Sequence, residues 1–249
     1  MSLAGRIPKK GKCMKIAIDG PAGCGKSTIA RLIADNLGFL YINSGNFYRA
    51  IAYLSIQEKV AWQDASAMIR LVKAHRFDYV ADGSVVVDDK KLSSELRSLE
   101  VDAIVSQVSA IPEIREQVNA IIRSIAQSKD VVSEGRDIST VVFPDADLKL
   151  YLDASIKIRA ERRYLEKTRA LQAESRNSRT FCNNEIENAT FDEIMKNIEM
   201  RDVLDKQKAV GALKIAKDAV YLDTSDLTIE QVYEKVYKIL KARIAHVRK

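Results

Sequence analysis

The residues with the clearest chemistry lie in one stretch, Lys15 to Thr28, which reads KIAIDGPAGCGKST. Gly20, Gly25, Lys26 and Ser27 fall at the spacing G-x-x-x-x-G-K-[ST], with Pro21, Ala22, Gly23 and Cys24 between them and Thr28 after. Glycines let the backbone curl with successive N–H groups pointing inward, and a helix starting there adds the positive end of its dipole. The loop therefore reads as a phosphate cradle. Lys26 reaches β- and γ-phosphates, and the Ser27 hydroxyl is a ligand for Mg²⁺. The bland alternative is a Gly-rich turn with an exposed lysine. Against it, Ile16-Ala17-Ile18 suits a buried parallel strand, and Ile29, Ile33 and Leu37 recur at helical spacing. A helix N-terminus favours a thiolate at Cys24. The simpler reading is a small residue at a position used for its backbone.

Other charged groups follow further candidate strands. Asn43-Ser44-Gly45 ends the apolar run Phe39–Ile42, with Tyr48 and Arg49 one turn on. Arg136-Asp137 follows the run from Asp130 to Ser133 and Glu134-Gly135. After Leu148–Leu152, Arg159, Arg162 and Arg163 share one helix face, as do Arg201, Asp205 and Lys208 later. Any one cluster alone could be a solvated surface with ion pairs worth a few tenths of a kcal/mol. Parallel sheets gather chemistry at the carboxyl ends of their strands, and all four sites fall there or one turn beyond. The pattern favours an anionic ligand.

The elements that must position these groups alternate strand and helix, which predicts an α/β fold with a parallel sheet. Helices are expected over about 45–59, 64–74, 94–109 and 112–128, the last opening at Pro112. Arg76–Val80 and Ser84–Val87 read as a hairpin around Asp82-Gly83, inserted on the core. Residues about 165–190 are polar and read as an irregular, mobile segment, with helix resuming to about 208. After a last strand at Val220–Leu222, Thr228 and Gln231 have capping-box spacing, and Val232, Val236, Ile239 and Leu240 form a buried stripe.

With 249 residues, 47% of them hydrophobic and 30% charged, the chain can bury a sizeable core. Its net charge of +6 suits an anionic partner. No compact Lys/Arg run carries interleaved aromatics, so polyphosphates account for the surplus better than nucleic acid. No apolar run approaches the roughly 18 residues of a membrane span. Cys13, Cys24 and Cys182 lack metal-ligand spacing, and their odd, sparse count suits a reducing cytoplasm. Residues 1–13 read as a disordered leader, with Met14 as an alternative start.

From Met14 to about Leu240 the chain resembles the bacterial-type cytidylate kinases, which are P-loop nucleoside monophosphate kinases. IAIDGPAGCGKST, NSGNFYRAIA, SQVSAIPEIRE, EGRDISTVVFPDADLKLYLDAS, RAERR, RDVLDKQKAVGAL and DAVYLDTSDLTIEQV carry the resemblance. It implies an α/β fold with a five-stranded parallel sheet flanked by helices, a monophosphate-binding insertion containing a small β patch, and a mobile lid. The core would comprise 14–43, 129–156 and 209–249, the insertion 44–128 and the lid 157–208. It further implies a cytoplasmic monomer that transfers a phosphoryl group from MgATP to CMP or dCMP. Arg159 and Arg163 would then close over ATP on the Gly20–Thr28 loop. Ser44, Tyr48 and Arg49 would meet the acceptor's phosphate and sugar, Ser106, Arg123 and Asp137 its cytosine edge, and Asp205 its ribose. Lys26, Arg136, Arg201 and Lys208 would clamp the phosphates.

These roles agree with the chemistry. An aspartate accepting from an exocyclic amine favours cytosine over uracil. A phosphate with a second pKa of about 6 is ionised at neutral pH and needs no general base. Either Asp19 or Glu134 would hold the waters of the Mg²⁺. The chain departs from the family's usual residues at Asn43 (Asp), Ser139 (Gly), Lys208 (Arg) and Ala212 (Pro). Lys208 keeps the charge but loses a planar, two-pronged contact. A kinase for UMP or another small acceptor, or a low-turnover nucleotide-binding module, remain the alternatives.

Overall fold

The computed structural model describes residues 13–80, 82–177 and 190–247. Strand β1 (Lys15–Asp19) passes through the glycine loop into α1 (Lys26–Leu37), and β2 (Leu40–Asn43) runs directly into α2 (Ser44–Gln57). Next come α3 (Ala65–Ala74) and three short strands, β3 (Phe77–Tyr79), β4 (Val85–Val87) and β5 (Lys90–Leu92). A 3₁₀ turn, Ser94–Arg97, precedes α4 (Leu99–Val108) and α5 (Pro112–Ala126). β6 (Val131–Gly135) leads through a π turn at Ile138–Val142 to β7 (Leu148–Asp153). The chain closes with α6 (Ile156–Asn177), α7 (Phe191–Gln207), β8 (Val220–Asp223) and α8 (Ile229–Val247).

The main sheet is parallel, in the order β2-β6-β1-β7-β8. Its register levels the carboxyl ends. Asp19 stands opposite Gly135 and Tyr151, Asn43 opposite Glu134, and Asp153 opposite Asp223. Period-two alternation splits the core between the two faces. Ile16 and Ile18 pack with Leu148, Leu150 and Leu152 under α1 and α8, whereas Ala17, Ile42 and Val131 face α2 to α5. Val232, Val236 and Leu240 are buried as their spacing predicts, with Ile239 half-buried. The capping box forms, Gln231 Oε1 accepting from the Thr228 amide at 2.9 Å and Thr228 Oγ1 from the Gln231 amide at 3.3 Å.

Two expectations change. The β patch has three antiparallel strands, because Lys90-Lys91-Leu92 pairs with β4 while burying only Leu92. The segment read as irregular from 165 is helix as far as Asn177, because strong helix formers dominate its sequence. Residues 178–189, including Cys182, and the leader up to residue 12 lie outside the described residues.

One polar contact ties three parts of the β-patch region. His75, just past α3, has Nδ1 at 2.5 Å from Asp88 Oδ2 in the β4–β5 turn and Nε2 at 2.7 Å from Glu58 Oε1 after α2. Hydrogen bonding to Asp88 first, and then to Glu58, raises its pKa above the ordinary 6.5 against the opposing cost of burial. A raised histidine pKa stabilises the fold fully below 6.5 and loses that contribution as pH climbs through the folded value. In thermal melts, the wild type is expected to lose more stability than His75→Gln between pH 6 and higher pH, and parallel curves would refute the link.

Candidate active site

The glycine loop is built by close approach. Gly25 caps α1 with φ +92°, where a side chain would be strained. A Cβ on Gly20 would lie 1.9 Å from the Leu152 carbonyl oxygen, so only glycine lets β7 lie so close. Lys26 is buried, donating to the Pro21 carbonyl at 2.5 Å, with Cys24 Sγ 3.7 Å away. Burial is the main force lowering its pKa; Cys24 and Glu134 oppose the shift and Arg136 adds to it.

Glu134 organises the groups around Ser27. Its Oε1 accepts from Ser27 Oγ at 2.5 Å, Asn43 Nδ2 at 2.6 Å and Tyr41 Oη at 3.0 Å. Asp19, the other candidate, is turned elsewhere. Its two oxygens accept from the Ile138 and Ser139 amides at 2.8 Å each, and from the Ser139 hydroxyl. Burial raises its pKa, opposed by those hydrogen bonds. Among the described residues no cluster of three His, Cys, Asp or Glu could hold a metal alone. A serine hydroxyl beside one carboxylate fits Mg²⁺, which takes oxygen ligands and keeps several waters. Asn43, where the family usually has Asp, leaves Glu134 with an amide donor as its neighbour.

Over these groups opens a cleft of about 240 Å³, lined by seven cationic side chains and three carboxylates. Lys26, Arg136, Arg201 and Lys208, drawn from distant parts of the sequence, all line it. Asp205 lies between two of them, accepting from Arg136 Nε at 2.7 Å and Lys208 Nζ at 2.9 Å. Burial opposes its ionisation, but Arg136 and then Lys208 outweigh that and hold its pKa at about 2. Arg201 lies exposed on α7; desolvation, then Arg136, Arg49 and Arg163, lower its pKa to about 10, against the pull of Asp205. Lys208 also reaches Ser109 Oγ at 3.2 Å.

On the insertion side, Ser44 Oγ donates to the Glu134 carbonyl at 3.0 Å, and Arg49 bridges the Leu96 carbonyl at 2.8 Å to Asp102 at 2.7 Å. Tyr48, Ser106 and Asp137 line the cleft as well. Arg115, absent from the sequence-based set, donates to Asp137 Oδ2 at 2.5 Å and to the Ser109 carbonyl at 2.9 Å, its guanidinium 5.3 Å from the centre of the Tyr48 ring. Its Nε is buried without a partner.

Two residues named from the sequence stand elsewhere than expected. Arg123 does not line the cleft; it donates to the Val142 and Val141 carbonyls at 2.9 and 2.6 Å and braces the π turn. Arg115 occupies the place expected for it, and lies within the same quoted stretch SQVSAIPEIRE. Arg159 is buried in a two-pronged pair with Asp202 at 3.0 and 2.6 Å, also donating to the Ala154 carbonyl at 2.9 Å and the Ala22 carbonyl at 3.2 Å. It ties α6 to α7 and to the loop rather than standing open to a donor nucleotide. Arg163 is half-exposed beside Glu166 at 3.3 Å.

The family model described as cytidylate kinase matches residues 16–242. A cytidylate kinase from Caldanaerobacter subterraneus subsp. tengcongensis is 40% identical over 229 residues, covering 92% of this chain and 95% of that protein. One from Streptococcus pneumoniae (strain 70585) is 38% identical over 230 residues, covering 90% and 96%. A solved shikimate kinase from Bacteroides thetaiotaomicron covers 92% of this chain and 97% of its own at 12% identity and a TM-score of 0.45, too loose a likeness to add to these.

Replacing one partner of the Arg159–Asp202 pair strands a buried charge. Arg159→Met is expected to cost about 3–5 kcal/mol in urea unfolding, and Arg159→Met with Asp202→Leu to recover much of it. Equal stability of the single variant and the wild type would contradict the bracing role.

Proposed function

The chain belongs to the cytidylate kinase family, and we propose that it moves a phosphoryl group from MgATP to CMP or dCMP by positioning and charge neutralisation alone. It is a nucleoside monophosphate kinase. One observation carries the mechanistic reading: Lys26 of the glycine loop lines the same cleft as Arg136, Arg201 and Lys208, with the Arg115–Asp137 pair on its insertion side. Two phosphate anions that repel in water can meet there end to end.

On this reading the loop Gly20–Thr28 cradles the donor's phosphates through its backbone N–H groups, with Lys26 on the outer ones. The Ser27 hydroxyl, held by Glu134, would bind Mg²⁺, which would supply neutralisation of the phosphate charge. Ser44, Tyr48 and Arg49 hold the acceptor's phosphate and sugar side, with Asp205 on its ribose. Asp137 accepts from the exocyclic amine of cytosine, and Arg115, locked to Asp137, donates to the acceptors beside it. Ser106 stands at the same edge. Arg136, Arg201 and Lys208 stabilise the charge that spreads over the transferred group. The acceptor is already ionised, so no side chain removes a proton.

Residues 44–128 serve as the monophosphate-binding region and 157–208 as the lid, whose closure keeps water from the reacting phosphates. Arg163 is the lid cation open to ATP. The unpaired thiols of Cys13 and Cys24 support a cytoplasmic location. No helix among the described residues is long and apolar enough to cross a membrane.

Coupled ADP release measured with CMP, dCMP, UMP and AMP tests the assignment. CMP and dCMP are expected to lead, with UMP lower by about a hundredfold or more in kcat/KM. Lys26→Ala should cut kcat by about a thousandfold, and undiminished turnover would refute its role. Arg115→Met should raise the KM for CMP about a hundredfold with the KM for ATP nearly unchanged, whereas Arg123→Met should lower Tm and spare both constants. The reverse pattern would return base reading to Arg123.

A further inference from the structure

We propose that Arg97 is a further ligand for the acceptor's 5′-phosphate, acting beside Arg49. The inference rests on the reading above that CMP or dCMP is the acceptor.

Arg97 closes the 3₁₀ turn Ser94–Arg97, whose Leu96 is buried in the core, so the backbone that carries it is anchored. The side chain itself is exposed and lines the cleft. The Leu96 carbonyl beside it accepts from Arg49 at 2.8 Å, which joins the two arginines' supports. Their charges differ in what already answers them. Arg49 is paired with Asp102 at 2.7 Å, Arg115 with Asp137, and Arg136 and Lys208 share Asp205. The Arg97 side chain makes no hydrogen bond or ion pair among the described residues. An arginine held on a fixed turn at the wall of an anion site, with no carboxylate of its own, retains its whole charge for the ligand.

The part of the ligand it meets follows from the segment it comes from. Arg97 belongs to the insertion that supplies Ser44, Arg49 and Ser106, not to the glycine loop or α7, so the acceptor is its target. Arg115 and Asp137 already answer one another and the base edge. A phosphate dianion facing Arg49, half-neutralised by Asp102, needs a second cation, and Arg97 supplies it.

The test compares Arg97→Gln with the wild type for CMP, dCMP and ATP, with cytidine, which lacks the phosphate, as a competitive inhibitor. The KM values for CMP and dCMP are expected to rise together, by about ten- to a hundredfold, the usual range for a charged hydrogen bond. The Ki for cytidine and the KM for ATP should stay within about twofold, which also shows an intact fold. KM values for CMP and dCMP that stay within threefold of wild type, an equal rise in the cytidine Ki, or a rise confined to ATP would each overturn the proposal. If the wild type itself fails to phosphorylate CMP and dCMP, the acceptor reading falls; if only Arg97→Gln behaves as wild type, the role of Arg97 alone falls.

Discussion

Cations cannot be crowded into a half-buried cleft unless carboxylates are built in beside them, and this requirement shapes the site. Seven cationic side chains line the space over the glycine loop, against three carboxylates. Asp205 answers Arg136 and Lys208, and Asp137 answers Arg115. Each pair leaves a residual positive potential but removes the worst repulsion. The pairs also set geometry, because a guanidinium held on a carboxylate has a defined plane. The cleft is therefore organised before any nucleotide arrives, as electrostatic catalysis requires.

The sheet brings further acidic and amide groups to the same end. The strands end close together, with Asp19 opposite Gly135 and Tyr151, Asn43 opposite Glu134, and Asp153 opposite Asp223. Glu134 gathers hydroxyl and amide donors from β2 and α1, and Asp19 pins the turn that follows β6. A shift of register by one residue would turn Glu134 away from α1 and Asp19 away from the turn it pins, so neither would keep its partners. Packing of Ile16, Ile18 and their neighbours thus fixes where the charges stand, and core and site form one problem in stability.

Much of this was legible in the sequence, for physical reasons. The glycine loop has a local signature, because its backbone geometry demands particular residues at fixed spacing. The five strands and most helices followed from apolar period, and the Thr228 capping box from its spacing. What stayed hidden depended on tertiary direction. Arg115 and Arg123 both sit on α5, about 12 Å apart along its axis at 1.5 Å per residue. Nothing local tells which end of that helix meets the cleft. Arg159 could be seen as a cation on the correct helix, but not that Asp202, 43 residues on, would claim it. β5 escaped notice because two of its three residues are exposed lysines, and its strand character comes from pairing with β4.

The division among the cations follows from the same electrostatics. Arg115, Arg136 and Lys208 spend part of their charge on fixed carboxylates, and so they define the shape of the site at any stage of the cycle. The side chains of Arg97 and Arg201 have no hydrogen bond or ion pair among the described residues, and they come from opposite sides, the insertion and α7. Arg97 is exposed to water, whereas desolvation and the neighbouring Arg136 lower the pKa of Arg201 to about 10, so its charge is the costlier of the two to leave unanswered. Bringing their walls together without a ligand would force like charges to approach in a medium of falling dielectric. Two nucleotide anions between them reverse that sign.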